Sequence, residues 1–374
     1  MDFNLTEEQQ LLRDSVERLA REQYNFEARR ALLKTPAGVS NEHWQSFADL
    51  GWLALGIPEE FGGLGLGFVE VSILMQGLGA AMVLEPLVST TVLGARIVER
   101  ADNDSQRHAL LPQVAEGGLK VALAHSEAFN RFHPANVKAT VVDHGEDGYI
   151  LSGSKFMAFD APSAEVMIVS AKMSGKEDFG LFLVDRQAEG VALDPYRLID
   201  GTSAADIRFD RVHLGAEALL VAPERALDVL EEAVDRSTLA QVAEAIGAMG
   251  AVMEITAEYI KTRKQFGQPI GKFQALQHRM AEMLTRTEDA RSMLYRALAN
   301  LETEPAARKA AVSAAKVVAA EAGKFVGAQG IQLHGGMGMT DECSVSHYFK
   351  RFLVFEKAYG DLDYHTARYI AASG

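Results

Sequence analysis

Apolar residues follow a helical period at the two ends of the chain and a strand period in its middle. Near the N-terminus, Leu12, Val16 and Leu19 are spaced i, i+4 and i+7, which places them on one face of a helix. Four glycines and a proline between Ile57 and Gly67 interrupt this pattern, because they do not continue a helix. We therefore predict helices separated by an ordered loop in this part of the chain.

Between about Lys120 and Ala222 the apolar period changes from 3.6 to 2. Val141–Val142 and Tyr149–Leu151 flank an Asp-His-Gly-Glu-Asp-Gly turn and predict a β-hairpin. The runs Val166–Val169 and Phe179–Val184 predict two further strands. These patterns indicate a small β domain.

From about Pro223 the helical period returns and continues beyond the length of an average globular helix. Its apolar face extends from Leu227 to Met253 and stops at the break Gly267–Gly271. Two further helical segments follow, and the second, from about Pro305, is rich in alanine. Small residues let neighbouring helices approach closely, so we predict a helical bundle here.

These segments predict an α+β multi-domain fold, because helices and strands are segregated and no βαβ repeat is present. The predicted domains are a helical domain over residues 1–119, a β domain over 120–222 and a helical bundle over 223–374.

Charge and composition narrow the class of protein. Thirty-seven Lys and Arg residues against 51 Asp and Glu residues give a net charge of −14, which argues against nucleic acid or an anionic membrane as the main partner. No apolar run approaches the ~20 residues that span a bilayer. The polar, acidic N-terminus is unlike a signal peptide, and the lone Cys343 fits a reducing compartment. We expect a cytoplasmic protein without a membrane span.

Two glycine-containing clusters are candidate ligand sites. Lys261–Lys272 holds four cations, of which Arg263 is suited to a pyrophosphate, and Phe266 is suited to packing on an aromatic ring. Gln332–Gly338 contains two adjacent glycines that permit close backbone contact. Local physics alone leaves open a solvated helix connection for the first cluster and a helix C-cap for the second. The histidines lack metal-ligand spacing, so we predict no metal site.

Taken together, three motifs resemble the acyl-CoA dehydrogenase family over essentially the whole chain. They are IPEEFGGLG from Ile57, R-x-Q-F-G-x-P-I-x-x-F-Q-x-x-Q-H from Arg263 and Q-x-H-G-G-x-G-x-T-x-E from Gln332. The resemblance implies an N-terminal helical domain, a middle β domain and a C-terminal four-helix bundle. It also implies FAD as cofactor, an acyl-CoA thioester as substrate and an electron-transfer-flavoprotein-type acceptor. The implied reaction is α,β-desaturation, in which a carboxylate removes the α proton and the flavin takes the β hydrogen as hydride.

The resemblance also implies a set of FAD-binding residues, carried over by position. In the family, the two motifs that contain them reach across a subunit interface to FAD held mainly by the neighbouring chain. The matching residues here are Arg263, Gln265, Phe266, Ile270, Gln274, Gln332, Gly335 and Gly336.

The chain departs from the family where its own flavin ring would lie. Of the first ring-binding stretch, at Ser126–His133, only Ser126 and Glu127 keep the family's character. In the second stretch, Met157 stands in place of a ring-stacking Trp, and Phe159 stands in place of a flavin-bonding Thr. Loss of a stacking surface and of a hydroxyl donor should weaken binding of the ring by this chain.

The catalytic carboxylate of the family is also absent. Its Tyr-Glu-Gly-Thr turn corresponds to Ala358–Asp363, which has no Glu, and its alternative helix position corresponds to Ser237. Asp235, Asp361 and Asp363 lie near these positions, and acids there are more often solvated or capping residues. The catalytic base is not identified from the sequence.

This asymmetry resembles the small subunits of two-component acyl-CoA dehydrogenases of the pimeloyl-CoA and steroid-degradation types. We therefore expect a heterotetramer in which a larger partner subunit holds most of the FAD and substrate. Two alternatives stay open: a self-sufficient homotetramer with an aspartate base, and a non-catalytic scaffold that binds acyl-CoA or flavin. The acyl group is not specified, because apolar pocket residues discriminate chain shapes by only ~1–3 kcal/mol per methylene.

Overall fold

The computed structural model describes residues 4–129 and 132–374. Its first third is helical, as the apolar period predicts. The helices are α1 (Glu7–Gln23), α2 (Phe26–Leu33), α3 (Asn41–Asp49), α4 (Phe68–Ala81), a π-helix (Val88–Gly94), α5 (Ala95–Glu99) and α6 (Asp104–Ala115). Helix α1 begins at a capping box, in which Thr6 Oγ1 accepts from the Gln9 N–H and the Gln9 side chain accepts from the Thr6 N–H. The predicted loop at Ile57–Gly67 contains only one short 3₁₀ turn, Glu59–Phe61.

The middle of the chain forms one mixed β-sheet. Its strands are β1 (Val121–Ala124), β2 (Thr140–Asp143), β3 (Tyr149–Phe159), β4 (Val166–Met173), β5 (Phe179–Asp185), β6 (Val191–Arg197), β7 (Ser203–Leu214) and β8 (Leu219–Val221). The strand order is β6-β7-β3-β2-β4-β5-β8, and β1 pairs with β4 in parallel. Both predicted antiparallel pairs are present, with Val141 opposite Leu151 and Val169 opposite Phe182.

The C-terminal part is helical, and its helices match the predicted segments. They are α7 (Pro223–Thr262), α8 (Gln274–Asn300), α9 (Pro305–His334), α10 (Ser344–Lys357) and α11 (Leu362–Ser373). A two-stranded hairpin, β9 (Lys264–Gln265) and β10 (Gln268–Pro269), joins α7 to α8. Helix α7 is long and apolar enough to cross a membrane by length and composition, but 56% of its most apolar window is buried in protein. Leu239, Val242 and Ile246 are fully buried, as in a core helix.

Glycines let α4 and α7 cross closely. A Cβ on Gly79 would lie 2.0 Å from the Glu244 carbonyl oxygen, and a Cβ on Gly247 would lie 1.8 Å from that of Gln76. Each helix therefore presents a glycine to the backbone of the other, and any larger residue would force the two helices apart.

Contacts group the chain into two compact units. Unit 1 comprises the segment up to Ala31, Phe68–Val83 and Thr238–Gly374, and unit 2 comprises Leu32–Gly67 and Leu84–Ser237. Helix α7 contributes residues to both. The domain boundaries predicted after residues 119 and 222 fall between α6 and β1 and between β8 and α7. They stay predictions, because the grouping of contacts follows a different division.

Candidate functional site

The hairpin after α7 presents the first candidate cluster. The Arg263 N–H donates to the Tyr259 carbonyl at the end of α7, and the Arg263 carbonyl accepts from the Ile270 N–H at 2.8 Å. Phe266 and Gly267, at the tip, have φ of 52° and 81°, as a two-residue type I′ turn requires. A positive φ is costly for a bulky residue such as Phe266, so the local sequence holds this aromatic residue in a strained, fixed position.

Phe266 and Arg263 both point away from the body of the chain. The Phe266 side chain is 92% exposed and touches the ring of Phe273 edge-on, with centroids 6.1 Å apart. The Arg263 guanidinium is exposed and makes no hydrogen bond or ion pair within residues 4–129 and 132–374. An aromatic ring and a planar cation are thus available to a ligand or a partner.

The remaining predicted residues of this cluster lie along the same surface, which we call the hairpin strip (Arg263–Gln274). Gln265 is exposed and its Nε2 donates only to the Lys264 carbonyl among the described residues. Ile270 is half-buried under the hairpin, and Gln274 is the exposed first residue of α8. The structure therefore brings all five predicted residues of the first motif onto one connected segment.

The second cluster, which we call the glycine strip (Gln332–Gly336), ends α9. Gln332, Gly335 and Gly336 are exposed, and Gly335 has φ 61° and ψ −140°, a conformation that glycine alone adopts readily. A Cβ on Gly335 or Gly336 would meet nothing within 4 Å. The glycines therefore leave bare backbone facing open space, which a ligand can approach closely.

Tyr259 and His334 connect the two strips. The Tyr259 hydroxyl donates to the His334 carbonyl at 3.3 Å, and the two rings stack with centroids 4.3 Å apart. Tyr259 lies one turn before Arg263, and His334 lies directly before Gly335. The ends of α7 and α9 are thus fastened together, so both strips belong to the same end of unit 1.

Glu127 of the first ring-binding stretch pairs with Lys155, which begins the second stretch and matches the lysine of the family's Lys-x-Trp-Ile-Thr-Asn-Gly motif. Lys155 Nζ, on β3, donates to Glu127 Oε1 at 2.7 Å and to Ser170 Oγ at 3.0 Å. Glu127 also accepts the backbone N–H groups of Lys138 and Ala139 at 2.9 and 3.0 Å. Burial lowers the pKa of Lys155 to about 8, against the opposing effect of Glu127. Their retention is therefore explained by folding, because they hold the β1–β2 connection against the sheet.

The substituted positions of these stretches lie at the end of β3. The register of β3 against β7 shifts between Lys155 and Ala158, and Met157, within the shift, has φ 50°. The Met157 N–H donates to Asp206 Oδ1 at 3.0 Å. Ser89, in the π-helix, donates to Asp160 Oδ2 at 2.5 Å. Asn130 and Arg131 of the first stretch lie outside the described residues.

The candidate bases are engaged in structural contacts or lie in solvent. Ser237 is fully buried and its Oγ donates to the Ala233 carbonyl at 2.8 Å. Asp361 is the N-cap of α11, where its Oδ1 accepts from the Tyr364 N–H at 3.0 Å. Asp363 is exposed in the first turn of α11, whereas Asp235 is fully buried. Asp361 therefore caps a helix and Asp363 is solvated, as expected, whereas the expectation for Asp235 is wrong, because α7 places it in the core.

Within the stretch Ala358–Asp363, Gly360 follows Tyr359, as the glutamate follows the tyrosine in the family's Tyr-Glu-Gly-Thr turn. Its φ is 129°, and a Cβ there would lie 2.4 Å from Tyr364 Cδ1 and 2.7 Å from His365 Nε2. The turn is therefore folded down onto α11, and no side chain fits at this position.

Sequence reasoning missed a buried cation below this turn. Lys316, on α9, is fully buried and donates to the carbonyls of Phe355 and Ala358, the latter at 3.0 Å. Burial lowers its pKa to about 7, while Glu356 acts in the opposite direction. The sequence feature that could have indicated its burial is the position of the lysine among alanines of α9, near the buried Ala315 and Ala319. Lys316 holds the carbonyls at the end of α10 and so fixes the start of the turn.

Several known proteins are similar to this chain in sequence or in structure. Acyl-CoA dehydrogenase IpdE2 of Mycobacterium tuberculosis is 30% identical over 348 residues, which cover 92% of this chain and 91% of that protein. A variant of the Tcur3481-Tcur3483 steroid ACAD has a TM-score of 0.88 at 28% identity, covering 98% of each chain. The ChsE4-ChsE5 complex from Mycobacterium tuberculosis has a TM-score of 0.89 at 26% identity, covering 98% of this chain and 97% of that one.

Family models account for nearly the whole chain. The acyl-CoA dehydrogenase N-terminal domain matches residues 6–118, the middle domain matches 122–212 and the C-terminal domain matches 226–373. The predicted fold class of helical, β and helical regions is confirmed. The chain belongs to the acyl-CoA dehydrogenase family, whose members are FAD-dependent oxidoreductases.

Proposed function

We propose that this chain is the supporting subunit of a heteromeric FAD-dependent acyl-CoA dehydrogenase. It would contribute the hairpin strip and the glycine strip to FAD held mainly by a larger partner subunit. The observation that carries the proposal is an asymmetry in one chain. Groups that would reach a neighbour's FAD are exposed and available, whereas Gly360 and Ser237 leave both family positions of the base without a carboxylate.

The two strips fit an FAD nucleotide. Arg263 has an exposed guanidinium for a pyrophosphate, and the bare backbone of Gly335 and Gly336 permits an approach that a Cβ would block. Phe266 offers an exposed ring face for an aromatic group. FAD, when bound, supplies the acceptor for the hydride that leaves the β carbon of an acyl-CoA thioester. This chain's part is to bind and orient the nucleotide end.

The chain's own ring and base positions fit the reaction poorly. Met157 provides no ring to stack on and Phe159 provides no hydroxyl, so neither replaces the group that the family uses there. Proton removal from the α carbon needs a carboxylate or a similar base, and Ser237 directs its hydroxyl at the Ala233 carbonyl. We therefore assign proton abstraction to the partner subunit.

Two structural neighbours support an assembly of two different chains. The names of the Tcur3481-Tcur3483 steroid ACAD and of the ChsE4-ChsE5 complex each join two gene products. We extend this to a heterotetramer that acts on an acyl-CoA thioester in the cytoplasm and delivers electrons to an electron-transfer-flavoprotein-type acceptor. The acyl group is left unassigned.

The flavin content of the purified protein tests the proposal. The chain expressed alone should carry little flavin, and the chain captured from its native cells should bring a larger acyl-CoA dehydrogenase chain with stoichiometric FAD. A yellow, active homotetramer of this chain alone would refute the proposal and favour the self-sufficient enzyme. Acyl-CoA binding without turnover in the captured complex, with any electron acceptor, would favour the non-catalytic scaffold.

A substitution at Arg263 tests the FAD contact itself. Arg263→Gln in the captured complex should weaken FAD binding roughly 10- to 150-fold, because a charge-assisted hydrogen bond of ~1.5–3 kcal/mol is lost. Arg208→Gln, which removes an equal charge from an exposed position on β7, serves as the control. Equal FAD affinity in the two variants would remove Arg263 from the site.

A further inference from the structure

The basic character of the hairpin region extends beyond the FAD motif. Residues 259–281 contain no Asp or Glu, and they form the longest acid-free stretch of a chain with a net charge of −14. The same stretch holds five Lys or Arg residues, namely Lys261, Arg263, Lys264, Lys272 and Arg279. We call the surface formed by these residues the basic patch. Such a concentration of one sign in an acidic protein needs an explanation.

The fold turns this stretch into one continuous, exposed surface. All five cations are exposed. The hairpin is fastened to the start of α8, because the Ile270 N–H donates to the Arg263 carbonyl at 2.8 Å and Gln277 Nε2 donates to the Gly271 carbonyl at 2.9 Å. Gly271 packs against the end of α7, where a Cβ would lie 3.0 Å from the Ile260 carbonyl. The charges are therefore carried on a rigid support.

The positive charge exceeds what FAD can neutralise. A pyrophosphate diester carries only about two negative charges at neutral pH, about one for each phosphorus. Lys261 already pairs with Glu258 at 2.6 Å. Lys264 and Lys272 make no side-chain hydrogen bond or ion pair in the part of the chain that the structure describes. Arg263, Lys264, Lys272 and Arg279 thus carry four positive charges against about two on the pyrophosphate, so about two remain without a counter-charge.

We propose that the basic patch docks an acidic surface of the flavin-bearing partner subunit and steers the two chains together. The inference rests on the proposed function and adds the chemistry of the partner's surface. The patch overlaps the hairpin strip, which under the proposed function already faces the flavin-bearing partner. Complementary charge at a rim acts mainly on the rate of association and on partner choice.

Two other occupants fit the patch less well. A second copy of this chain docked through a two-fold axis at the patch would place cations against cations. A nucleic acid would be repelled by the chain as a whole, whose net charge is −14 even with the five cations of the patch included. Both occupants are distinguishable outcomes of the test below.

The test compares two double variants of equal net charge. Lys264→Glu/Lys272→Glu reverses the patch, and Lys34→Glu/Lys176→Glu reverses two exposed lysines in unit 2. Each is mixed with the acyl-CoA dehydrogenase chain that copurifies in the capture experiment, and association is followed by biolayer interferometry at 50 and 500 mM NaCl. At low salt the patch variant should associate about tenfold or more slowly than the control, and at high salt the two rates should converge.

The outcomes separate this inference from the proposed function. Absence of a copurifying acyl-CoA dehydrogenase chain refutes the proposed function and, with it, the inference. A copurifying partner that associates equally fast with both double variants at 50 mM NaCl refutes the inference alone. Salt-sensitive self-association of this chain, lost in the patch variant, reassigns the patch to a second copy, and salt-sensitive binding of a DNA oligonucleotide reassigns it to nucleic acid. Lys264→Gln/Lys272→Gln replaces the Glu variant if the latter loses its native circular dichroism.

Discussion

The Lys155–Glu127 ion pair gives the sharpest test of which retained motif residues serve folding. The Lys155 side chain is fully buried and that of Glu127 is 7% exposed, with 2.7 Å between Nζ and Oε1. Lys155→Met removes the cation from a buried carboxylate that also accepts two backbone N–H groups. Removal of one partner of a buried ion pair costs ~3–5 kcal/mol, so we expect a loss of that size in the free energy of unfolding.

Tryptophan fluorescence can measure this loss in the isolated chain. Trp44 and Trp52 are its two tryptophans, and both lie in unit 2 together with Lys155. Urea unfolding followed by their emission therefore reports on the unit that contains the ion pair. No flavin and no partner are needed, because the predicted role is structural.

A neighbouring surface pair provides the matched control. Lys172, on β4, lies 3.2 Å from Glu177, whose side chain is 98% exposed. Lys172→Met should cost less than ~1 kcal/mol, as exposed ion pairs do. If Lys155→Met costs no more than this control, the pair does not hold the β1–β2 connection, and its retention needs a functional explanation.

Three further outcomes are expected. Gly360→Glu should lower the Tm of the isolated chain, because φ is 129° and a Cβ would lie 2.4 Å from Tyr364 Cδ1. It should not create acyl-CoA-dependent flavin reduction, and a gain of this activity would contradict the expectation. Phe266→Ser should leave the Tm unchanged, because the side chain is 92% exposed, but should lower FAD content in the captured complex; a fall in Tm without loss of FAD would point to a purely structural role. Burial, together with the charges of Lys316 and Arg368, lowers the pKa of His365 to about 2 in the folded chain. Below about pH 6.5 the unfolded chain therefore binds a proton that the folded chain does not, and the free energy of unfolding decreases as the pH falls. Between pH 7 and 5 this residue should account for ~2 kcal/mol of lost unfolding free energy, and His365→Asn should flatten that dependence in urea titrations.

The sequence predicts the elements that carry continuous apolar runs. Strands β4 and β5 are buried on both faces over most of their length, and α7 keeps its apolar period over 40 residues. Strand β6 was missed, because it lies at the edge of the sheet, is half-buried at best and contains Pro195. An edge strand needs a neighbour to define it, and its neighbour β7, which follows after five residues, was not predicted as a strand either.

The candidate site also contains residues that the sequence predicts and residues that it does not. Motif matching placed Arg263 and Gly335, and their exposure follows from their loop positions. The buried position of Lys316 could not be read from the sequence, because a charged residue becomes stable in a core only through tertiary partners, here two carbonyls from another helix. The positive φ of Phe266 was equally hidden, since it is set by the Gly267 turn and its register.

The division of the chain into two units sets an order of events during synthesis. Unit 2 is complete once Ser237 has been made, whereas α1 belongs to a unit whose main part begins at Thr238. About 200 residues separate the two, which corresponds to ~10–40 s of translation at typical rates. During that time Val16 of α1 already has a native neighbour in α4, because a Cβ on Gly77 would lie 2.3 Å from Val16 Cγ1, whereas α8 to α11 are not yet made. Helices α1 and α4 are therefore made before unit 2 is finished, yet the unit to which they belong is completed after unit 2.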